Sequence, residues 1–233
     1  MTVVFLIGLV TLIALPWSML VSARAKNDLE TAWYGLVVVG IAAAVVAYGV
    51  QLGALTAWIS IAEPSLEDVT RLDFLLFAHV LLGLLLEGCK VEGVRLFQTR
   101  LTRGDWVLYG VAAGAGSGLL QAIWLAGAVA LFALLGGGAI EQKHLWLLVR
   151  CGALIAMEAA LTGVAMYLVA RGVRRVSAIA AAGAAHGLVR LAAAVLILSP
   201  TMVFFGQAAA YGVAAAVAGG LLVWRIRTVG WPT

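Results

Sequence analysis

The order of apolar and polar positions divides this chain into long apolar runs separated by brief charged connectors. Seven apolar stretches are separable, at approximately 2–23, 32–60, 73–98, 105–135, 145–170, 176–198 and 202–224. Each reaches or exceeds the ~20 residues that an α-helix needs to cross a bilayer. Charge gathers in the connectors: Arg24 to Glu30, Glu63 to Asp73, Arg100 to Asp105, Glu141 to His144 and Arg171 to Arg175. The last connector is only Ser199-Pro200, where proline stops one helix and another begins. The pattern predicts an all-α, polytopic membrane bundle of about seven transmembrane helices, a single integral domain over 1–233. The first stretch lacks a basic leading segment and is longer than a signal-peptide core, so it is read as a helix. The second and fourth stretches are longer than a span requires. They are expected to tilt, to kink at Gly53 or at Gly114 and Gly116, or to project past the bilayer.

Composition makes the membrane reading firm. Hydrophobic residues make up 64% of the chain and charged ones 11%, with a mean hydropathy of +1.08. A soluble domain carries roughly 25% charged residues, so the solvent of this chain is lipid, and no stretch outside the membrane is long enough for a soluble catalytic domain. The formal charge of +4 reports loop topology and not nucleic-acid affinity. Arg24, Lys26, Arg100, Arg103, Arg171, Arg174, Arg175, Arg225 and Arg227 fall on one side of the alternation, Arg71 and Lys143 on the other. Short connectors rich in Lys and Arg stay in the cytoplasm. The N-terminus is therefore expected outside and the C-terminus inside, in the inner membrane of the cell. Cys89 and Cys151 lie within apolar stretches and read as small buried residues. Runs of small residues, such as Ala180 to Ala185 and Ala208 to Gly220, suit close helix packing in lipid. No internal repeat is visible, which disfavours a transporter built from repeats.

Several ionisable residues nevertheless fall inside the spans: Glu87, Lys90, Glu92, Arg95, Arg150, Glu158 and Arg190, joined by His79, His186, Gln121 and Gln207. A charge at bilayer depth costs ~2.5–3.5 kcal/mol or more on insertion scales, so such residues face the bundle interior and have partners or functions. Spacings of three predict that Glu87 pairs with Lys90 and Glu92 with Arg95. At 1.5 Å per residue, Glu92, His186, Ser117 and Glu158 lie about 12, 16, 18 and 20 Å from the cytoplasmic helix ends, in one slab of the membrane. Trp33, Trp58, Trp106, Trp146 and Trp224 stand towards helix ends, as interfacial rings do, whereas Trp124 is deeper and is expected in the core. The acidic connector with Glu63, Glu67, Asp68 and Asp73 lacks the order of a calcium site and reads as a solvated loop.

Glu92-Gly93-Val94-Arg95, the basic connector to Arg103, and Tyr109-Gly110 followed by Gly114 to Ala122 carry a family resemblance. Over about residues 73–198 the chain resembles the YhfC family of intramembrane metallopeptidases, distantly similar to CAAX-processing and PrsW-type membrane proteases. That family pattern has E-x-x-R on one helix, G-H-G-x-x-E-A on the next, and a histidine on each of two later helices. Glu92 and Arg95 match the first motif, and Gly116 and Gly118 match the glycine frame of the second. The family histidine between those glycines falls on Ser117, and the family glutamate on Gln121. Glu158 resembles the acidic residue that opens the next motif, but the histidine expected two turns later falls near Met166. His186 matches the last histidine, with Arg190 where an acidic residue often follows.

A metallopeptidase needs about three His or carboxylate ligands, an open position for water, and a carboxylate base. Ser117, Gln121 and Met166 supply none of these, so the resemblance implies a catalytically degenerate copy. The site expected is vestigial, built from Glu92, Arg95, Ser117, Gln121, Glu158 and His186, with an ion-pair network of Glu92 and Arg95 with Glu158 or Arg190. No metal is expected; were zinc to bind, Glu92, Glu158 and His186 would hold it. The function expected is non-enzymatic: an accessory or interaction subunit of a membrane complex with membrane-protein partners, or a binder of lipid or another hydrophobic ligand. The alternatives are an active intramembrane protease with a non-standard site, and a transporter or channel. A retinal protein is excluded by the absence of lysine from 202–224, and a haem between His79 and His186 is not expected, since lone helical histidines are more often structural.

Overall fold

The computed structural model describes residues 29–62, 65, 70–97, 103–135, 142–195 and 203–230. They form six α-helices and, among the described residues, no strand: α1 Leu29–Ala62, α2 Leu72–Phe97, α3 Arg103–Leu135, α4 Gln142–Ala170, α5 Arg175–Val195 and α6 Val203–Val229. All six are long and apolar enough to cross a membrane. They correspond to the second to seventh stretches of the sequence; the first, 2–23, lies outside the described residues, as do Arg24, Lys26, Arg100 and the Ser199-Pro200 turn.

Lipid contains no partner for a free N–H or C=O, so a spanning segment closes its backbone hydrogen bonds within itself. This is why the apolar runs form uninterrupted helices. α1 and α3 continue through Gly53 and through Gly114 and Gly116 without a break. At 34 and 33 residues they extend about 50 Å, well beyond a ~30 Å hydrocarbon core. The turn between α4 and α5 is closed locally. Gly172 sits at φ 87°, with its N–H donated to Val169 O and that of Val173 to Leu168 O, both at 3.0 Å. This is a left-handed glycine cap satisfying the last carbonyls of α4.

α4 is the central helix: 67% of its most apolar window is buried, against 17% for α6. α3 and α6 pack along it, α2 packs on α5, and α1 covers α2 and α3. Glycines set these approaches. A Cβ at Gly110, Gly114 or Gly118, spaced four apart on α3, would strike the backbone of α4 at Thr162, Glu158 or Ile155. A Cβ at Gly116 would instead strike Val37 O of α1. Gly83 of α2 meets Gly183 and Gly187 of α5 in the same way. Hydrophobicity does not drive helices together in lipid, and small residues at four-residue spacing allow the close contact that does. The outer faces remain apolar, as at Val45, Val46, Phe77 and Val213. The expectation for Trp124 fails: its side chain is 80% exposed, on the outer side of α3, instead of packing in the core.

Candidate functional site

The glycine contacts bring four helices together around one buried polar cluster. Glu87 and Lys90 enter from α2, Ser117 and Gln121 from α3, Glu158 and Thr162 from α4, His186 and Arg190 from α5. Glu87, Lys90, Ser117, Glu158, Thr162 and His186 are each fully buried. Lys90 and Glu87 share a helix face with Leu86, Val91 and Val94, which are also buried, so the stripe that packs the bundle carries these two charges inward.

Lys90 is the hub. Its Nζ donates to Glu87 Oε1 at 2.5 Å and to Glu158 Oε2 at 2.6 Å. His186 lies between the same two carboxylates, with Nδ1 3.0 Å from Glu87 Oε1 and Nε2 3.2 Å from Glu158 Oε1, although the latter approach lacks hydrogen-bond geometry. Thr162 Oγ1 stands 3.0 Å from Glu87 Oε2 and from Glu158 O, one turn back on its own helix. Ser117 Oγ donates weakly to Glu158 Oε2 at 3.4 Å, and Gln121 Nε2 donates to Glu158 Oε1 at 2.7 Å. Each carboxylate thus meets a cation and at least one neutral donor, which is the condition for holding charge in a low-dielectric interior.

Gln121 carries the network outward. Its Oε1 accepts from Tyr48 OH at 2.8 Å and from Arg190 NH1 at 2.7 Å, while Arg190 NH2 donates to Tyr48 OH at 2.7 Å. Arg190 NH1 also lies 3.9 Å from Glu158 Oε1, and the Arg190 guanidinium sits 5.7 Å from the Tyr48 ring centroid. Two carboxylates therefore face two basic side chains, Lys90 and Arg190, with His186 between them.

The sequence-derived site divides in two. Ser117, Glu158 and His186 come together as expected of residues from one slab, and Gln121, which the family resemblance singled out, joins them. Glu92 and Arg95 do not join them. They pair with each other at 2.7 Å, and Glu92 also accepts from Arg175 NH1 at 3.1 and 3.3 Å, at the shared end of α2 and α5. Their side chains are 40% and 51% exposed. The expected core network of Glu92 and Arg95 with Glu158 or Arg190 is corrected accordingly: Glu87 and Lys90 take those places. The reason is helical rotation. Five residues separate Glu87 from Glu92, which at 100° per residue turns them about 140° apart. Tyr48 and Thr162 were not singled out by the sequence. A threonine one turn after Glu158 was a detectable signal, whereas a tyrosine within the apolar run of α1 was not.

The same rotation revises the candidate ligand set. Ligand atoms of Glu87, Glu158 and His186 lie within 4.8 Å of one another, a separation compatible with a divalent cation. Glu92 is not among them. The Lys90 ammonium bridges both carboxylates and Arg190 adds a second positive charge nearby, so a metal at these atoms would have to displace Lys90. His79 stays outside the cluster, and both nitrogens of His186 face carboxylates.

Beside the cluster, a cavity of about 560 Å³ opens between α1, α3, α4 and α5. Its wall is apolar at Val45, Leu120 and Leu154, and cationic at Arg150 and Arg190. No family model matches this chain, and neither a curated protein nor a solved structure does.

Proposed function

We propose that this chain is a metal-free bundle resembling intramembrane proteases that acts by binding, as a holder of a hydrophobic ligand or as an accessory subunit in a membrane complex. The single observation that carries this reading is the position of Lys90. Its ammonium occupies the space between Glu87 and Glu158 where a hydrolytic metal would have to lie. A dication there would displace or neutralise a lysine that is fully buried and donates to both carboxylates. With Gln121 in place of a carboxylate, the cluster also lacks a free base for activating water, because Glu87 and Glu158 are both engaged with Lys90. A polar core of this kind holds helix register in lipid, where each member depends on the others for its partner. The resemblance to the YhfC family supports the same conclusion from the opposite direction, since Ser117 and Gln121 stand where its histidine and glutamate would be. A permeation path would need polar groups lining a passage through the bundle, whereas Glu87, Lys90, Glu158 and His186 are fully buried and tied to one another.

Elemental analysis of the chain purified in mild detergent tests the reading. Zinc well below one equivalent per chain, unchanged by incubation with zinc and washing, is the expected result. One zinc per chain, lost on Glu158→Gln, would overturn it.

A further inference from the structure

The charge around the cavity is out of balance. Glu87 and Glu158 are matched by Lys90 and Arg190, which leaves Arg150 as an additional cation within a membrane span. Arg150 donates from Nε to Gln207 Oε1 at 2.6 Å, and its guanidinium lies 5.5 Å from the Tyr211 ring centroid. Among the described residues no carboxylate pairs with it. Arg190, on the same cavity wall, keeps a buried Nε without a hydrogen-bond partner. These partners are neutral, so the Arg150 guanidinium lacks a counter-charge at this depth, which an anion would supply.

Depth and shape indicate where that anion comes from. Arg150 is eight residues into α4, about 12 Å from its start. α4 has 29 residues and is about 43 Å long, so placed evenly across a ~30 Å hydrocarbon core it would extend about 7 Å past each face. This puts Arg150 about 5 Å below the hydrocarbon boundary, within the reach of a lipid headgroup. The cavity mouth faces the lipid side of the bundle, where Val45 and Trp124 are 59% and 80% exposed. Its 560 Å³ lies within the ~300–1,000 Å³ typical of small-ligand sites.

We infer that the cavity binds an anionic phospholipid of the surrounding bilayer, with its phosphate on Arg150, Arg190 lending charge from the same wall, and one acyl chain along Val45, Leu120 and Leu154. The inference rests on the binding reading above and specifies its ligand. The lipid belongs to the leaflet at the end of the bundle opposite Arg171, Arg174 and Arg175. Arg190 links it to Glu158 through Gln121, so occupancy of the cavity bears on the polar cluster.

Trp124 on the rim is the natural reporter. In phosphatidylcholine vesicles containing a small fraction of brominated lipid, the fluorescence lost on Trp124→Phe isolates its share of the quenching. Brominated phosphatidylglycerol is expected to quench that share at about tenfold lower mole fraction than brominated phosphatidylcholine, the step that one charge-assisted hydrogen bond supplies. Arg150→Gln should abolish the preference while the unfolding temperature stays near that of the parent protein. Equal quenching of the parent protein by the two lipids overturns the inference, whether or not the variant folds. A folded Arg150→Gln protein that retains the preference overturns it as well. Zinc analysis is independent of both arms: bound zinc would sink the metal-free reading, whereas equal quenching would sink the lipid site alone.

Discussion

Helix α2 carries two glutamate–cation pairs of identical spacing, and they have opposite surroundings. Glu87–Lys90 and Glu92–Arg95 are both i,i+3 pairs, 2.5 and 2.7 Å long. The first is completely buried, and each member has further partners on α4 or α5. The second is about half exposed at the helix end, where Glu92 also reaches Arg175. Local geometry is therefore nearly the same, and the energetic consequences are not. A buried pair is costly to break because the survivor is left charged in a dry interior, whereas an exposed pair is screened and loses little. The pairs also differ in what they hold. Glu87–Lys90 joins α2 to α4 and α5 at mid-bundle, and Glu92 fastens the ends of α2 and α5.

Substitutions at the two pairs should differ by several-fold in effect. Lys90→Met is expected to have the largest, about 3–5 kcal/mol of lost stability, since it leaves Glu87 and Glu158 facing each other without their shared cation. Reversible unfolding in mixed micelles measures this; a loss below ~1 kcal/mol would mean that the cluster is not held by Lys90. Thr162→Val comes next. It preserves shape but removes the hydroxyl between Glu87 and the α4 backbone, and should cost about 1–3 kcal/mol, the usual penalty for stranding a buried polar partner. A double-mutant cycle with Glu87→Gln should then show coupling, because the two side chains are in contact. Glu92→Gln should have the smallest effect, ~0.2–1 kcal/mol, and that effect should shrink further at high salt. If Glu92→Gln proved as damaging as Lys90→Met, the assignment of the core to Glu87 would be wrong.

Legibility in the sequence follows the same division. The six described helices were read to within a few residues at most of their ends, because hydropathy and backbone satisfaction in lipid act residue by residue. Glycine spacing on α3 was visible, but it was read as possible kinks at Gly114 and Gly116 when it serves as the contact face with α4 and α1. Ser117, Glu158 and His186 were legible as a group, since depth along a helix can be counted, and Gln121 was legible through the motif it shares with Ser117. Choosing between Glu87 and Glu92 was not, because both lie on α2 beside a cation three residues on and the family motif favoured Glu92.

The sequence by itself determined that this protein lives in lipid, that long apolar helices make it up, and that charges lie within them. These follow from transfer free energy and hydrogen bonding, which depend on composition and local order. Only the tertiary structure decided which charges meet. Gly83 against Gly183 and Gly187 sets the rotation of α2 on α5, and that rotation turns Glu87 and Lys90 inward and Glu92 away. The angle of a helix about its own axis is decided by the surface it packs against, and in lipid an almost uniformly apolar helix carries little signal of its own for that choice.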